Sequence, residues 1–155
     1  MIYLGIDPGL GGAIAVLDTA EGVTVHKMPT RPRTVFKGNR VDWRELPDIV
    51  RGATRAAVEA QHSMPSDGKA SAFTFGGAYE GCIAMLDACV VPYTEHSPKA
   101  WQGAFGIARG KGEPRSATKA KAKAIALSLF PTAVGITQQT ADAVLLAEYA
   151  RRASK

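Results

Sequence analysis

Three strand-length apolar runs within the first 28 residues constrain this chain more than any other feature. Residues 2–6, 12–17 and 23–28 are rich in branched side chains and are separated by short Gly-, Asp- and Pro-containing turns. That pattern predicts an antiparallel meander. Further on, residues 55–61 and 90–95 read as two more strands, each preceded by a helical stretch. The element order is therefore three antiparallel strands, helix, strand, helix, strand, then helices, which is met most economically by one mixed α/β sheet flanked by helices.

The intervening segments carry their own signals. Residues 29–38 hold two prolines with Arg31, Arg33 and Lys37, the composition of an exposed loop outside the core. Asp42, with Glu45 three residues on, predicts a capping box opening a short helix through Leu46, Ile49 and Val50 toward Gly52. Gly76 and Gly77 are expected to interrupt the stretch after Ser71, leaving a core helix over 78–88. Ser97-Pro98 starts a helix carrying Trp101 and Phe105, whose spacing assigns both to the core. Residues 108–118 form a second basic loop, followed by a helix that Pro131 ends. Extended backward, that helix aligns Arg115, Lys119 and Lys123 as a cationic stripe. The last helix covers 140–152, with Thr140 as its cap and Asp142 in its first turn.

With 155 residues the chain is about one domain long, and 1–155 is expected to fold as one unit that buries roughly 68–70% of its extended surface. Apolar residues at 46% and charged residues at 21% exclude a chain disordered throughout. Nineteen Lys and Arg against fourteen Asp and Glu, net +5, favour a polyanionic partner such as nucleic acid. Cys82 and Cys89, seven apart in a helical segment, would sit about 10 Å apart along the axis, too far to bridge. A reduced, cytoplasmic setting is expected. The start lacks a basic region and meets Asp7-Pro8 too soon for a signal peptide. The apolar stretches fall short of the ~20 residues that span a bilayer, so no membrane association is expected.

Three carboxylates stand out by position. Asp7 lies where an apolar strand meets a glycine-rich turn, in Gly5-Ile6-Asp7-Pro8-Gly9. Glu59 interrupts the apolar segment Ala56-Ala57-Val58-Glu59-Ala60, where an unpaired buried carboxylate would be costly. Asp142 opens a helix, where the dipole favours its charge whatever its role. Each has a bland structural reading: a turn residue, a wet strand face, a helix start. Together they suggest a site for a hard divalent cation, since carboxylates from separate elements can converge at one sheet edge. Such a site suits phosphodiester hydrolysis. His26, His62 and His96 lack zinc-type spacing, and no G-x-S-x-G, HExxH or nucleotide-binding Walker string is present, so no nucleotide cofactor is expected.

The strings GIDPGLGGAIAVLD, AAVEAQHSMP and TADAVLLAEYARR resemble, in order and spacing, the three acidic motifs of RuvC-type Holliday junction resolvases, especially small phage-encoded ones. SAFTFGGAYEGCIAML, SPKAWQGAFGI and the basic stretch before ALSLFP extend the likeness over nearly the whole chain. The resemblance implies a ribonuclease H-like fold: a mixed five-stranded sheet of three antiparallel N-terminal strands plus two parallel ones. It also implies a homodimer and Mg²⁺-dependent nicking of four-way DNA junctions, with Mn²⁺ able to substitute. Residue by residue, Asp7, Glu59 and Asp142 match the metal-binding acids. The family's fourth ligand, Asp or His one turn earlier, is Gln139 here, beside Gln138, and a neutral amide should bind the metal more weakly. The family's essential lysine falls on either Lys111 or Lys119. Its base-stacking aromatic aligns with His62, with Phe73 and Phe75 as other candidates, at least one of which is expected in the core. DNA contacts are expected from Arg31, Arg33, Lys37, His62, Phe73, Arg109, Lys111, Arg115, Lys119 and Lys123, which would hold phosphates without reading sequence.

Three other readings remain open at this level. A junction-binding protein without catalysis would follow if the missing fourth acid abolished turnover. GIDPGLGG also resembles the phosphate-gripping hairpin of actin-like phosphotransferases, but those folds need two such lobes and this length provides one. Another ribonuclease H-like nuclease would prefer an RNA–DNA hybrid to a four-way junction.

Overall fold

The computed structural model describes residues 1–61, 68–107 and 113–154, with Arg115 described by its backbone alone. The meander forms as expected: β1 (Ile2–Asp7), β2 (Ala13–Asp18) and β3 (Gly22–Lys27) are joined by tight turns, β1 to β2 and β2 to β3 antiparallel. β6 (Arg55–Glu59) then inserts parallel to β1, and β7 (Tyr93–His96) parallel to β6. The sheet order is β3-β2-β1-β6-β7, the mixed five-stranded arrangement of the ribonuclease H-like fold. β1 is thus the central strand, with antiparallel neighbours on one side and parallel ones on the other.

Period-two alternation along β1 sends Leu4 and Ile6 to one face, Tyr3 and Gly5 to the other. The first face packs under α1 (Leu46–Val50) and α2 (Lys69–Ala88), through Leu46, Val50, Cys82 and Leu86. The second packs under α3 (Pro98–Ala104), α4 (Arg115–Leu129) and α5 (Ala141–Arg152), through Trp101, Ala126 and the almost wholly buried α5 run from Ala143 to Ala147. Cores on both faces explain why β1 and β6 are apolar almost throughout.

Gly5 sets how closely α5 lies on β1. A Cβ there would stand 1.9 Å from the Ala143 carbonyl oxygen and 2.2 Å from the Ala147 nitrogen, so helix backbone rests directly on strand backbone. Gly81 plays the same part on the other face. Its α carbon abuts the Trp43 indole, whose Cζ2 would be 2.2 Å from an added Cβ.

Several local expectations are corrected. The segment over 29–38 is not all loop: β4 (Thr30–Pro32) pairs antiparallel with β5 (Asn39–Val41), leaving only the hairpin tip irregular. Asp42 does not cap α1. It is 3% exposed and is hydrogen-bonded by Arg44 Nε at 2.8 Å, with Arg31 at 3.7 Å, so nearby arginines outcompete a helix start as its partners. Glu45 occupies the cap position without a side-chain cap bond. Gly76 and Gly77 do not interrupt the helix: α2 runs unbroken from Lys69 through both. Two helical glycines cost about 1 kcal/mol each relative to alanine, less than the packing of Ala78, Cys82, Met85 and Leu86 supplies. Thr140 sits at the α5 cap position, yet its hydroxyl donates to the Gly135 carbonyl at 2.7 Å and accepts from Thr137 N–H at 2.8 Å, tying down the preceding loop instead. The Ser97 cap forms as expected, accepting from Ala100 N–H at 3.3 Å. Cys82 and Cys89 are both free thiols. Among the described residues no helix is long and apolar enough to cross a membrane.

Candidate functional site

The carboxyl ends of β1 and β6 lie side by side. Their parallel register pairs Gly5 with Ala57 and Ile6 with Val58, and its continuation sets Asp7 beside Glu59 on the same face of the sheet. Adjacent strands are about 4.8 Å apart, so these acids leave the backbone close together. The turn after Asp7 is held by glycine: Gly9 has φ +124°, and a Cβ on Gly12 would lie 1.9 Å from the Asp7 carbonyl oxygen. Gln61 Nε2 donates to the Pro8 carbonyl at 3.3 Å, stapling the end of β6 to the same turn. Asp142 arrives from the third element, the first turn of α5, which the bare backbone at Gly5 draws onto β1.

The electrostatics bind these groups into one site. Burial foremost, then the charges of Glu59 and Asp142, push the Asp7 carboxyl up to about 8 against the opposing charge of Lys119 from α4. Asp142 is raised by burial and lowered by the same Lys119. Lys119 is therefore the countercharge both aspartates feel. The Cys82 thiol lies across the sheet, pushed up to about 12 by burial and then by Asp7, and so is no nucleophile at neutral pH.

Glu59 has a partner that the sequence reading did not anticipate. Trp101 is fully buried beneath α3, as its spacing predicted, but its indole Nε1 donates to Glu59 Oε2 at 2.9 Å. His96, the register partner of Glu59 on β7, bonds Thr94 Oγ1 at 2.8 Å and meets the Tyr149 ring edge-on at 4.7 Å. The only sequence signal for the tryptophan contact was an indole N–H needing an acceptor in an apolar setting.

The oxygen donors of Asp7, Glu59 and Asp142 are of the kind hard divalent cations take, and their mutual repulsion is what a cation would relieve. As placed, no group of three or more His, Cys, Asp or Glu among the described residues could hold a metal ion. Three acids and a lysine share one sheet end without forming a finished cage. Gln139 is exposed just before α5, its backbone N–H bonded to Thr137 Oγ1 at 3.2 Å, and no hydrogen bond among the described residues joins its amide to the acids. Gln138 is likewise exposed.

The expected DNA-contacting residues divide. Lys119 and Lys123 are half-buried on α4, and Lys119 reaches the acids. Arg31 is engaged by Asp42, while Arg33 and the exposed Lys37 belong to the β4–β5 hairpin. Phe73 and Phe75, at least one of which was expected in the core, are 76% and 48% exposed. They lie on the early turns of α2, before its buried stretch begins at Ala78. His62, Arg109 and Lys111, and the side chain of Arg115, lie outside the described residues.

No family model matches the chain, and no curated protein does. Among solved structures it is similar to RuvC from Thermus thermophilus, with a TM-score of 0.60 and 16% identity over 95% of this chain and 91% of that one. It is also similar to T. thermophilus RuvC in complex with a Holliday junction substrate, with a TM-score of 0.58 and 14% identity over 95% of this chain and 90% of that one. At these identities the likeness is one of fold.

Proposed function

We propose that this chain is a divalent-metal-dependent endonuclease acting on branched DNA, four-way junctions above all. The observation that carries the reading is the meeting of Asp7, Glu59 and Asp142 with Lys119 at one sheet end. Support also comes from the RuvC-like fold and the basic net charge. Asp7, Glu59 and Asp142 would hold Mg²⁺ or Mn²⁺, with the Gln139 amide oxygen as a neutral fourth donor. A bound ion would supply a water of lowered pKa and neutralise charge on the phosphate. Lys119, whose charge offsets those of Asp7 and Asp142, would do the same for negative charge on the scissile group. The water oxygen bonds to phosphorus and gives up a proton, the bond between phosphorus and the 3′ oxygen breaks, and the 3′ oxygen takes up a proton as it leaves. The Trp101 N–H bonds Glu59 Oε2 and so restrains the rotamers of that carboxylate.

Two copies about a two-fold axis would match the symmetry of a four-way junction, and a homodimer belongs to this reading. So do a cytoplasmic setting and kinship with the small phage-encoded resolvases. The test is a labelled synthetic four-way junction offered with Mg²⁺ or Mn²⁺ beside an Asp7→Asn control. Wild type should nick it. The control should lose about 10²-fold or more, since metal-assisted charge stabilisation is worth several kcal/mol. Equal cutting by both would sink the assignment. A non-catalytic junction binder is the second reading, favoured by the unfinished acid cage and the neutral Gln139. Tight junction binding with no nicking in either metal would select it.

A further inference from the structure

β3 ends the five-stranded sheet on the side away from β7, so one of its edges has no strand beside it. Which backbone groups face outward follows from the register. Met28 N–H bonds the Gly12 carbonyl at 2.9 Å, one step beyond the Ala13–Lys27 pair. Residues of an antiparallel strand alternate between bonding the partner and facing away from it. Gly22, Thr24 and His26 therefore bond β2, while Val23, Val25 and Lys27 turn their N–H and C=O outward. Among the described residues no hydrogen bond reaches those outward groups. The edge is six residues long, without the proline or bulge that commonly guards an unpaired strand, and Lys27 at its far end is its one charged residue.

A groove of about 530 Å³ meets this edge where the strand begins. Gly22 belongs to both, and the walls are the β2–β3 turn, Leu129 and Phe130 at the end of α4, and Glu148 and Arg151 on α5. Its lining is acidic in a chain whose net charge is +5. Glu148 is buried and already bonded by Arg151 and Arg152. Asp18 and Glu21 have no cationic partner among the described residues. Asp18 Oδ1 accepts from Ala20 N–H at 2.8 Å, which holds the turn, and Glu21 is exposed. Apolar surface lies alongside. Leu129 is 38% exposed, and Val134, beside the Gly135 whose added Cβ would stand 3.7 Å from Val25 Cβ, is 88% exposed.

We propose that the β3 edge and this groove take an extended, basic segment of a partner protein, which adds a strand against Val23 and Val25 and lays a lysine or arginine side chain beside Asp18 and Glu21. Strand addition draws affinity from main-chain hydrogen bonds and specificity from pockets beside the strand. The unpaired carboxylates select the cationic side chain. A DNA strand fits less well. Asp18 pairs with Ile2 at the start of β1, so the groove lies at the sheet end opposite Asp7, and its carboxylates repel phosphates. A second copy of the chain also fits less well. Two β3 strands paired antiparallel about a two-fold axis would send the acids of the two copies to opposite ends of the joined sheet, away from a shared junction. In setting aside a second copy, the inference rests on the branched-DNA reading.

The test needs no cutting. A fluorescein-labelled peptide of alternating lysine and valine is titrated into the full chain, and amide hydrogen exchange is read residue by residue by NMR. Wild type should bind the peptide and slow exchange at Val23, Val25 and Lys27, whose amides face outward. A peptide of alternating glutamate and valine should bind about tenfold more weakly or worse. Val25→Pro removes an outward N–H and spares the hydrogen bonds to β2, so it should abolish binding. Glu21→Lys, at an exposed turn, should weaken binding about tenfold with a melt near wild type, which keeps the test decisive if Val25→Pro folds poorly. Absence of binding, binding without protection of those amides, or equal binding of the two peptides overturns the inference. Protection of the same amides by a single-stranded oligonucleotide alone overturns it in favour of DNA. A fall in self-association by light scattering in Val25→Pro, with no peptide bound by wild type, overturns it in favour of a second copy. None of these outcomes touches the nicking result or its Asp7→Asn control.

Discussion

The Trp101 indole, buried out of all contact with solvent, donates its N–H to Glu59 Oε2 at 2.9 Å. A core residue thereby reaches through the packing to hold a carboxylate of the candidate site. Trp101→Phe keeps much of the buried volume and removes the donor, and hydrogen bonds to charged groups are worth about 1.5–3 kcal/mol. The expected outcome is a higher metal concentration for half-maximal nicking, with a modest fall in melting temperature. Metal titration beside a thermal melt separates the two effects, and a lowered melt with an unchanged titration would assign Trp101 to packing alone.

Gly5→Ala should be among the most damaging single-methyl changes in the chain. Its Cβ would collide with backbone of Ala143 and Ala147, which cannot rotate aside as a side chain would. Overpacking ordinarily costs about 1–3 kcal/mol, and a clash with helix backbone belongs at or beyond the upper end. Urea denaturation should show the loss. At temperatures where the variant stays folded, its nicking should fall further than its folded fraction accounts for, because α5 carries Asp142.

Stability at acid pH should report on Asp42. The Arg44 hydrogen bond, ahead of the charge of Arg31, holds its carboxyl well below the usual 3.8, at about 2. A carboxyl lowered on folding stabilises the folded chain above its unfolded value, and that stabilisation is lost as pH falls toward the folded value. Denaturant midpoints for wild type should therefore drop between pH 4 and pH 2. Asp42→Asn should be less stable than wild type at neutral pH and should flatten that part of the profile. Parallel profiles for both would show that Asp42 is not the group titrating there.

Gln139→Asp should place an acid one turn before Asp142 and, under the proposed function, lower the metal concentration needed for half-maximal nicking. Added negative charge strengthens binding of a hard cation. An unchanged titration curve would remove Gln139 from the metal site.

How far the sequence disclosed the fold depends on the range of the forces involved. The meander and the β6 and β7 strands were legible because alternation and turn residues are local signals. Asp42 was misjudged because its partners are arginines that compete with a helix start, and capping patterns do not register that competition. α2 was shortened at Gly76-Gly77 because propensity was weighed without the packing that overrides it. Asp7, Glu59 and Asp142 were each ambiguous alone, and a strand register joined to a glycine contact is what brings them to one sheet end.

The parallel pairing of β1 with β6 has a consequence for how such a protein can diverge. The gap between the backbones of Asp7 and Glu59 is a repeat distance of the sheet, fixed by interstrand hydrogen bonds and indifferent to loop length. The hairpin tip can lengthen, shrink or change charge without altering that gap. Under the proposed function, chemistry and recognition would occupy separately adjustable parts of one small chain, and substrate range could drift while the spacing of the two acids stays constant.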